Sequence, residues 1–305
     1  MDTTKRRRSR KTGREKVPFI GWFLFAYLLI HCVAIILYFS WGFGASVKTN
    51  YEFMKDMVGY PEGLPWDWAW ENYKKAFELF NMKVLRDGIL TKVTVVEMIG
   101  NQLLYAFLSI FMSRLANWPV MYVSVVFWKK FKLARFIYTF LYVMMFIPTY
   151  GAMASAFLLY KKLGMYDSWW YVIFAYFSFG DGFILTHAYL SGLSSEMSEA
   201  AKIDGANNLD IMLRIYLPLS MPLIGLQVLT AFLSRWNDYE TMLYWLPSYP
   251  GISYGVYKFT TSTATGASWP TIQLAGGMML LVPVLAIFAV FSKKIIGGVT
   301  VSVSK

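Results

Sequence analysis

Few residues in this sequence could make or break bonds. His31, His187 and Cys32 are its only histidines and cysteine, which excludes a cage of soft metal ligands and a disulfide framework. Neither HExxH nor GxxxxGK followed by serine or threonine occurs, so the zinc-protease helix and the backbone cradle for nucleotide phosphates are both absent from the sequence. Two sets of polar residues remain. Arg114, Asp181, Arg235, Asp238 and Glu240 sit inside apolar stretches, where their chemistry is pairing with one another or contact with a polar solute in a passage. Glu199, Ala200, Ala201, Asp204 and Gly205 crowd one polar connection, where small side chains beside a glutamate suit the close approach of another protein.

The segments that must position these residues are made for lipid. Of the 305 residues, 57% are hydrophobic, 19% aromatic and 15% charged; a soluble domain carries about 25% charged residues. A bilayer core about 30 Å thick takes about 20 apolar residues of helix. Six runs meet that length, at 18–43, 99–126, 134–160, 168–190, 219–245 and 272–291. The expected fold is all-α and polytopic, with a basic tail over 1–16 and a membrane domain over 17–305.

Charge sets the orientation. KRRRSRKTGREK, ahead of the first run, holds the N-terminus in the cytoplasm. Lys129, Lys130, Lys132 and Arg135 after the second run, and Lys293 and Lys294 after the sixth, then fall on the same side. Lys161 and Lys162, on an outside connection, run against the pattern. A signal peptide also begins basic and turns apolar, but this run is too long and no small-residue cleavage site follows it. The formal charge of +11 does not indicate nucleic acid, because the cations lie at the ends of hydrophobic segments rather than along a soluble face. The outside segment 45–97 carries Tyr60, Trp66, Trp68, Trp70 and Tyr73, an interfacial aromatic belt broken by Pro61 and Pro65. Within it, ENYKKAFELF from Glu71 reads as an amphipathic turn or two lying on the surface.

The connection 191–218 is longer than a turn requires, and a long loop usually has a task. Ser194 or Ser195 can cap a short helix whose first turn holds Glu196 and Glu199, suited to the positive end of the dipole. Gly205 supplies a left-handed stop, and Asn207 or Asn208 opens a second helix. There Leu209, Met212, Leu213 and Tyr216 fall at i, i+3, i+4 and i+7, forming one apolar face that lies on the membrane, on the protein's own helix ends, or under a partner. Pro218 closes the segment near the membrane.

EAAKIDGANNLDIMLRIYLP resembles the EAA loop of ABC importer membrane subunits, with Glu199, Ala200, Ala201, Asp204, Gly205, Ile215, Leu217 and Pro218 at the family's spacing. The likeness runs on through ENYKKAF, Asn101, LGMYDS, WNDY and KKIIGGVTVSVSK, and is nearest to the carbohydrate branch, in the subunit type of the maltose permease. The long basic N-terminus and the extended first outside segment depart from that pattern, and Met212 stands where many relatives place an aromatic.

The resemblance implies a non-catalytic permease subunit in the plasma membrane of a bacterium or archaeon, with both termini cytoplasmic. It implies a second permease subunit, two ATP-binding cassette subunits that carry the ATP and Mg, and an extracellular solute-binding protein. In that family the loop forms coupling helices seated in an ATPase cleft, a role that here falls to Glu199, Ala200, Ala201, Asp204, Gly205, Met212, Leu213 and Pro218. Nucleotide-driven closure of the ATPases then opens the spans toward the loaded binding protein. Arg114, Trp236, Asn237, Asp238 and Tyr239 are candidates to line the sugar's path, unless the charges only pair to hold helices together. The outside connection from Ser248 is either a plain polar loop or a scoop that reaches the binding protein, with Tyr249, Tyr254 and Tyr257 as its contacts. Importers of peptides, amino acids and anions share the loop. A membrane aspartyl protease using Asp167 and Asp181 is the remaining alternative, although the tight glycine pattern around the second acid is missing.

Overall fold

The computed structural model describes residues 19–86, 88–128, 131–147, 151–178, 182–261 and 269–279, with scattered positions as far as 289. The basic tail, Lys129, Lys130, Asp181, residues 262–268, and Lys293 and Lys294 with the tail that follows lie outside the described residues, as does most of the sixth run beyond Met279.

Helix length follows where proline, glycine and polar side chains interrupt the apolar runs. The first run is one helix, α1 (Phe19–Ser46), with no acid or base in its terminal turns. Its large side chains stand exposed, and it packs on the rest of the chain through a late helix introduced below. After it come α2 (Asn50–Lys55), capped reciprocally by Thr49 and Glu52, and α3 (Glu71–Leu79). α3 does not simply lie on a surface: Asn72 is buried and its amide donates to Ser46 O at 2.9 Å and Lys48 O at 2.7 Å, fastening α3 to the C-terminal end of α1. The aromatic belt also divides. Trp68, Trp70 and Tyr73 gather with Phe43 at ring separations of 6.1–6.4 Å, while Tyr60 and Trp66 remain exposed.

A hairpin that the helical reading does not anticipate follows, β1 (Met82–Arg86) against β2 (Ile89–Val93), antiparallel with Lys83 opposite Lys92 and Leu85 opposite Leu90. Gly88, at φ +80°, turns the chain between them. The second run is the long helix α4 (Val95–Val126), started by Thr94, whose hydroxyl accepts from Glu97 N. It is the spine of the molecule: Met98, Tyr105 and Met121 along its length belong to three successive buried clusters.

The remaining runs are broken. The stretch 134–160 is two helices, α5 (Lys132–Met144) and α6 (Met153–Lys162), with Pro148 and Gly151 in the gap; a residue before proline is pushed out of helical geometry. The stretch 168–190 is α7 (Trp169–Tyr176) and α8 (Phe183–Ser191), the latter entered through Gly182 at φ +75°. The connection after α8 contains α9 (Glu196–Ile203) and α10 (Asn208–Ile211), and a wide helical turn, Met212–Tyr216, leads from α10 into α11 (Leu217–Trp236). α12 (Glu240–Trp245), α13 (Ile252–Thr260) and α14 (Pro270–Met279) complete the order, and α1 and α3 pack on α14. Among the described residues, three helical runs are long and apolar enough to cross a bilayer unbroken: Ile20–Ser46, Val95–Val126 and Asn208–Trp236.

Candidate functional site

The polar connection folds as a jointed pair of helices. Ser194 Oγ accepts from Glu196 N at 3.2 Å to start α9, Gly205 turns the chain at φ +86°, and Asn207 Oδ1 accepts from Asp210 N at 2.9 Å to start α10. The joint is pinned from behind: Tyr122 donates to Asn208 O at 3.1 Å and its ring meets Tyr216 edge-on at 5.2 Å, while Tyr189 donates to Leu219 O at 2.8 Å. The wide turn at Met212–Tyr216 inserts extra backbone into the helix, and this divides the four-residue apolar face expected from regular spacing. Leu209 and Leu213 stay exposed, Met212 is half-buried against the bundle and Tyr216 is buried.

Of the joint's residues Glu199, Ala200, Asp204, Gly205 and Pro218 are exposed, and Ala201 is half-buried. Ile203, an apolar residue among them, has 87% of its surface exposed. Sequence reasoning missed Ile203; its signal is an isoleucine between Lys202 and Asp204, out of phase with the inward-facing Ser198. A cleft of about 600 Å³ separates α9 from the bundle, lined by Trp128, His187, Glu199 and Lys202 among others.

Deeper in the bundle the polar residues form two networks. Arg114 donates to Gln227 Oε1 and to Ser113 Oγ at 3.1 Å, and Gln227 donates in turn to Thr186 Oγ1 at 2.9 Å and Gly182 O at 3.3 Å. This network joins α4, α8 and α11 at the break before α8.

The second network surrounds the break between α11 and α12. Asp238 accepts from Tyr105 Oη, from Thr241 Oγ1 at 2.7 Å and from Thr241 N at 3.0 Å, while Ser253 donates to Asp238 O at 2.9 Å. Regular helical spacing puts Arg235 and Asp238 on one face. α11 stops at Trp236, Asp238 accepts from Thr241 N at the start of α12, and the Arg235 guanidinium lies 4.4 Å over the Tyr176 ring.

The remaining path candidates separate by burial. Trp236 is 2% exposed and stacks on Phe232 at 5.7 Å, so in this conformation its indole offers no face to a solute. Asn237 is exposed, and Tyr239 is half-buried with its ring stacked on Tyr257 at 4.4 Å.

The connection from Ser248 is in part helix, α13, rather than loop. Tyr254 is buried on it, which pushes its phenol above the usual tyrosine range. Tyr249 lies between Trp169, at 5.4 Å, and the Arg86 guanidinium, at 5.3 Å, while Tyr257 keeps an exposed edge.

Next to Tyr249 is a polar hub that spacing alone did not reveal. Asp167, at φ +56°, accepts from Ser248 N at 2.9 Å and Ser248 Oγ at 2.6 Å; Arg86 donates to Ser248 O at 2.8 Å and pairs with Glu97 at 2.6 Å. Its only sequence signal is the LGMYDS turn, where Asp167 precedes Ser168, the cap of α7. Among the described residues no three histidine, cysteine, aspartate or glutamate side chains converge as metal ligands would.

Long apolar helices, polar networks held at helix breaks, and a pinned joint with an exposed knob define a helical membrane-transport component. Residues 120–295 match the family described as binding-protein-dependent transport system inner membrane component, and the chain belongs to that family. It is 27% identical to the galactooligosaccharides transport system permease protein GanQ of Bacillus subtilis (strain 168) over 92% of this chain and 95% of that one. It is also 27% identical to the maltodextrin transport system permease protein MdxG of the same organism, over 54% and 60% of the two chains. Its fold matches a chain of a bacterial ABC transporter involved in the import of the acidic polysaccharide alginate, with TM-score 0.71 at 22% identity over 90% of this chain and 95% of that one.

Proposed function

We infer that this chain is one of two permease subunits of an ATP-driven importer for a sugar or oligosaccharide, coupled through its α9–α10 joint to an ATPase and fed by an external solute-binding protein. The observation that carries the reading is the joint itself. Ile203, 87% exposed on a braced helix pair beside Glu199 and Ala200, with Leu209 and Leu213 also exposed on the joint, supports a socket on another subunit. The relatives named for galactooligosaccharides and maltodextrin support a saccharide as the solute. ATP and Mg belong to the two ATPase subunits, and this chain converts their closure into movement of the spans.

In the path, Arg114, Asn237, Asp238 and Tyr239 supply polar contacts, and Trp236 becomes available only in a conformation that opens the packing around Phe232. The N- and C-termini lie in the cytoplasm, with the hairpin and α13 outside. The test is ATP-dependent uptake by the reconstituted complex, scanned over oligosaccharides, peptides, amino acids and anions, together with crosslinking from cysteines placed at Ala200 and Ile203. Saccharide uptake and capture of an ATPase are expected. Activity of the chain alone, or uptake of another solute class only, would overturn the assignment.

A further inference from the structure

The outward face of the hairpin is arranged against its own stability. Lys83 and Lys92 are directly opposed across the two strands, and both are exposed. Directly opposed side chains lie about 5 Å apart at Cβ, where like charges disfavour the pairing. Neither lysine makes an ion pair among the described residues, so nothing within the described chain offsets the repulsion.

The next pair on the same face is Leu85 opposite Leu90, 62% and 70% exposed. Lys83 also lines a cleft of about 610 Å³ with Lys258 of α13, and no acid is among its lining residues. The hairpin is nonetheless braced: Arg86 ties the strand end to Ser248 O and Glu97, and Leu85 O lies 2.9 Å from Ser248 Oγ, whose one proton it shares with Asp167. A held element that presents two leucines beside unpaired cations is preorganised for a partner with the opposite charge.

We propose that this face docks an acidic surface of the external solute-binding protein, its carboxylates straddling Lys83 and Lys92 and an apolar side chain covering Leu85 and Leu90. The assignment rests on the transport reading above, which places the hairpin outside and requires such a protein.

The test is a titration of the cognate binding protein, loaded with the transported solute, against the ATPase activity of the complex in nanodiscs at low and high salt. Lys83→Glu with Lys92→Glu is expected to raise the half-saturating concentration at least about tenfold and to flatten its salt dependence. The pair Lys83→Gln and Lys92→Gln should give a smaller rise. Lys83→Gln alone should melt no lower than the unsubstituted chain, because it removes a repulsion, which separates lost docking from lost folding. An unchanged half-saturation and salt dependence would overturn the docking assignment alone. So would loss of the second permease subunit from the purified complex, or an effect that follows the anionic-lipid content of the nanodisc instead of the binding protein. Failure of any binding protein to stimulate the unsubstituted complex would overturn the transport reading and this assignment with it.

Discussion

Gly182→Ala tests whether the break before α8 is held by the Arg114 network. Gly182 has φ +75°, where an L side chain costs about 1–2 kcal/mol. A Cβ there would lie 2.7 Å from Gln227 Nε2 and 3.2 Å from Arg114 Nη1, so the Gln227 amide must turn. Turning it loses the bonds to Thr186 Oγ1 and Gly182 O and weakens the one from Arg114. A neutral hydrogen bond is worth about 1 kcal/mol and one to a charged group about 1.5–3 kcal/mol, so with the backbone share the loss is about 3–6 kcal/mol. Gly164→Ala is the control: its φ is +70°, but nothing lies within 4 Å of the added Cβ, so it should lose only the backbone share. Thermal unfolding of the purified complex followed by tryptophan fluorescence should rank Gly182→Ala below Gly164→Ala by several degrees, at about 2 °C per kcal/mol for a chain of this size. Combining Gly182→Ala with Gln227→Ala should cost less than the two losses added, because the truncated side chain makes room. Equal melting of the two glycine variants, or strict additivity in the double variant, would refute the account.

Ile203→Asp should leave the stability of the isolated chain within about 0.5 kcal/mol, as befits a side chain 87% exposed. The same change should release the ATPase during co-purification, because seating an isoleucine in a socket is worth about 1.5–3 kcal/mol. Asp167→Leu should lower the melting temperature more than Asp167→Asn, since both lose charge-assisted bonds to Ser248 but asparagine tolerates the φ of +56°. The turn at Asp56 should loosen in acid. Backbone N–H groups of Gly59 and then Val58 hold its carboxyl below the usual carboxylate range, so the stabilisation is complete above the ordinary carboxylate pKa and is lost as pH falls through the depressed value. Hydrogen exchange at the Gly59 amide should accelerate over that window, and Asp56→Asn should abolish the pH dependence.

The parts legible in the sequence are those whose cause is local. Gly205 is the expected left-handed stop, Asn207 rather than Asn208 takes the cap, and the first two apolar runs are single helices, α4 beginning at Val95 instead of 99. The hairpin was legible in principle, since Asp87 and Gly88 between VLR and ILTKV make a pair that favours a tight turn, but the expected surface helix covers only the segment from Glu71, with no strand expected after it. The wide turn at Met212–Tyr216 has no local signature in MLRIY, and that turn redistributes the apolar face of the joint. Trp236 and Tyr254 looked available because aromatic type says nothing about which way a ring faces, and the contacts that bury them come from distant segments.

The breaks in the apolar runs share one solution, and it explains residues that otherwise look misplaced. Where helices are interrupted inside the bundle, side-chain amides add hydrogen bonds to the backbone carbonyls at the breaks, some of which, like Gly182 O, also keep a backbone partner. Asn117 Nδ2 donates to Ser178 O at 3.1 Å and Gln227 Nε2 to Gly182 O at 3.3 Å, on either side of the gap between α7 and α8. Gln102 Nε2 donates to Arg235 O at 2.6 Å, where α11 ends, and Asn101 Nδ2 to Pro250 O at 3.0 Å, ahead of α13. Three of these four amides lie on α4, the helix that runs unbroken through all three buried clusters. An asparagine or glutamine in the middle of an unbroken apolar helix is therefore a sign that a neighbouring helix is broken at the same depth. In this chain the broken segments gather around α4, so one helix supplies most of the side-chain amides that bond the backbone at the breaks.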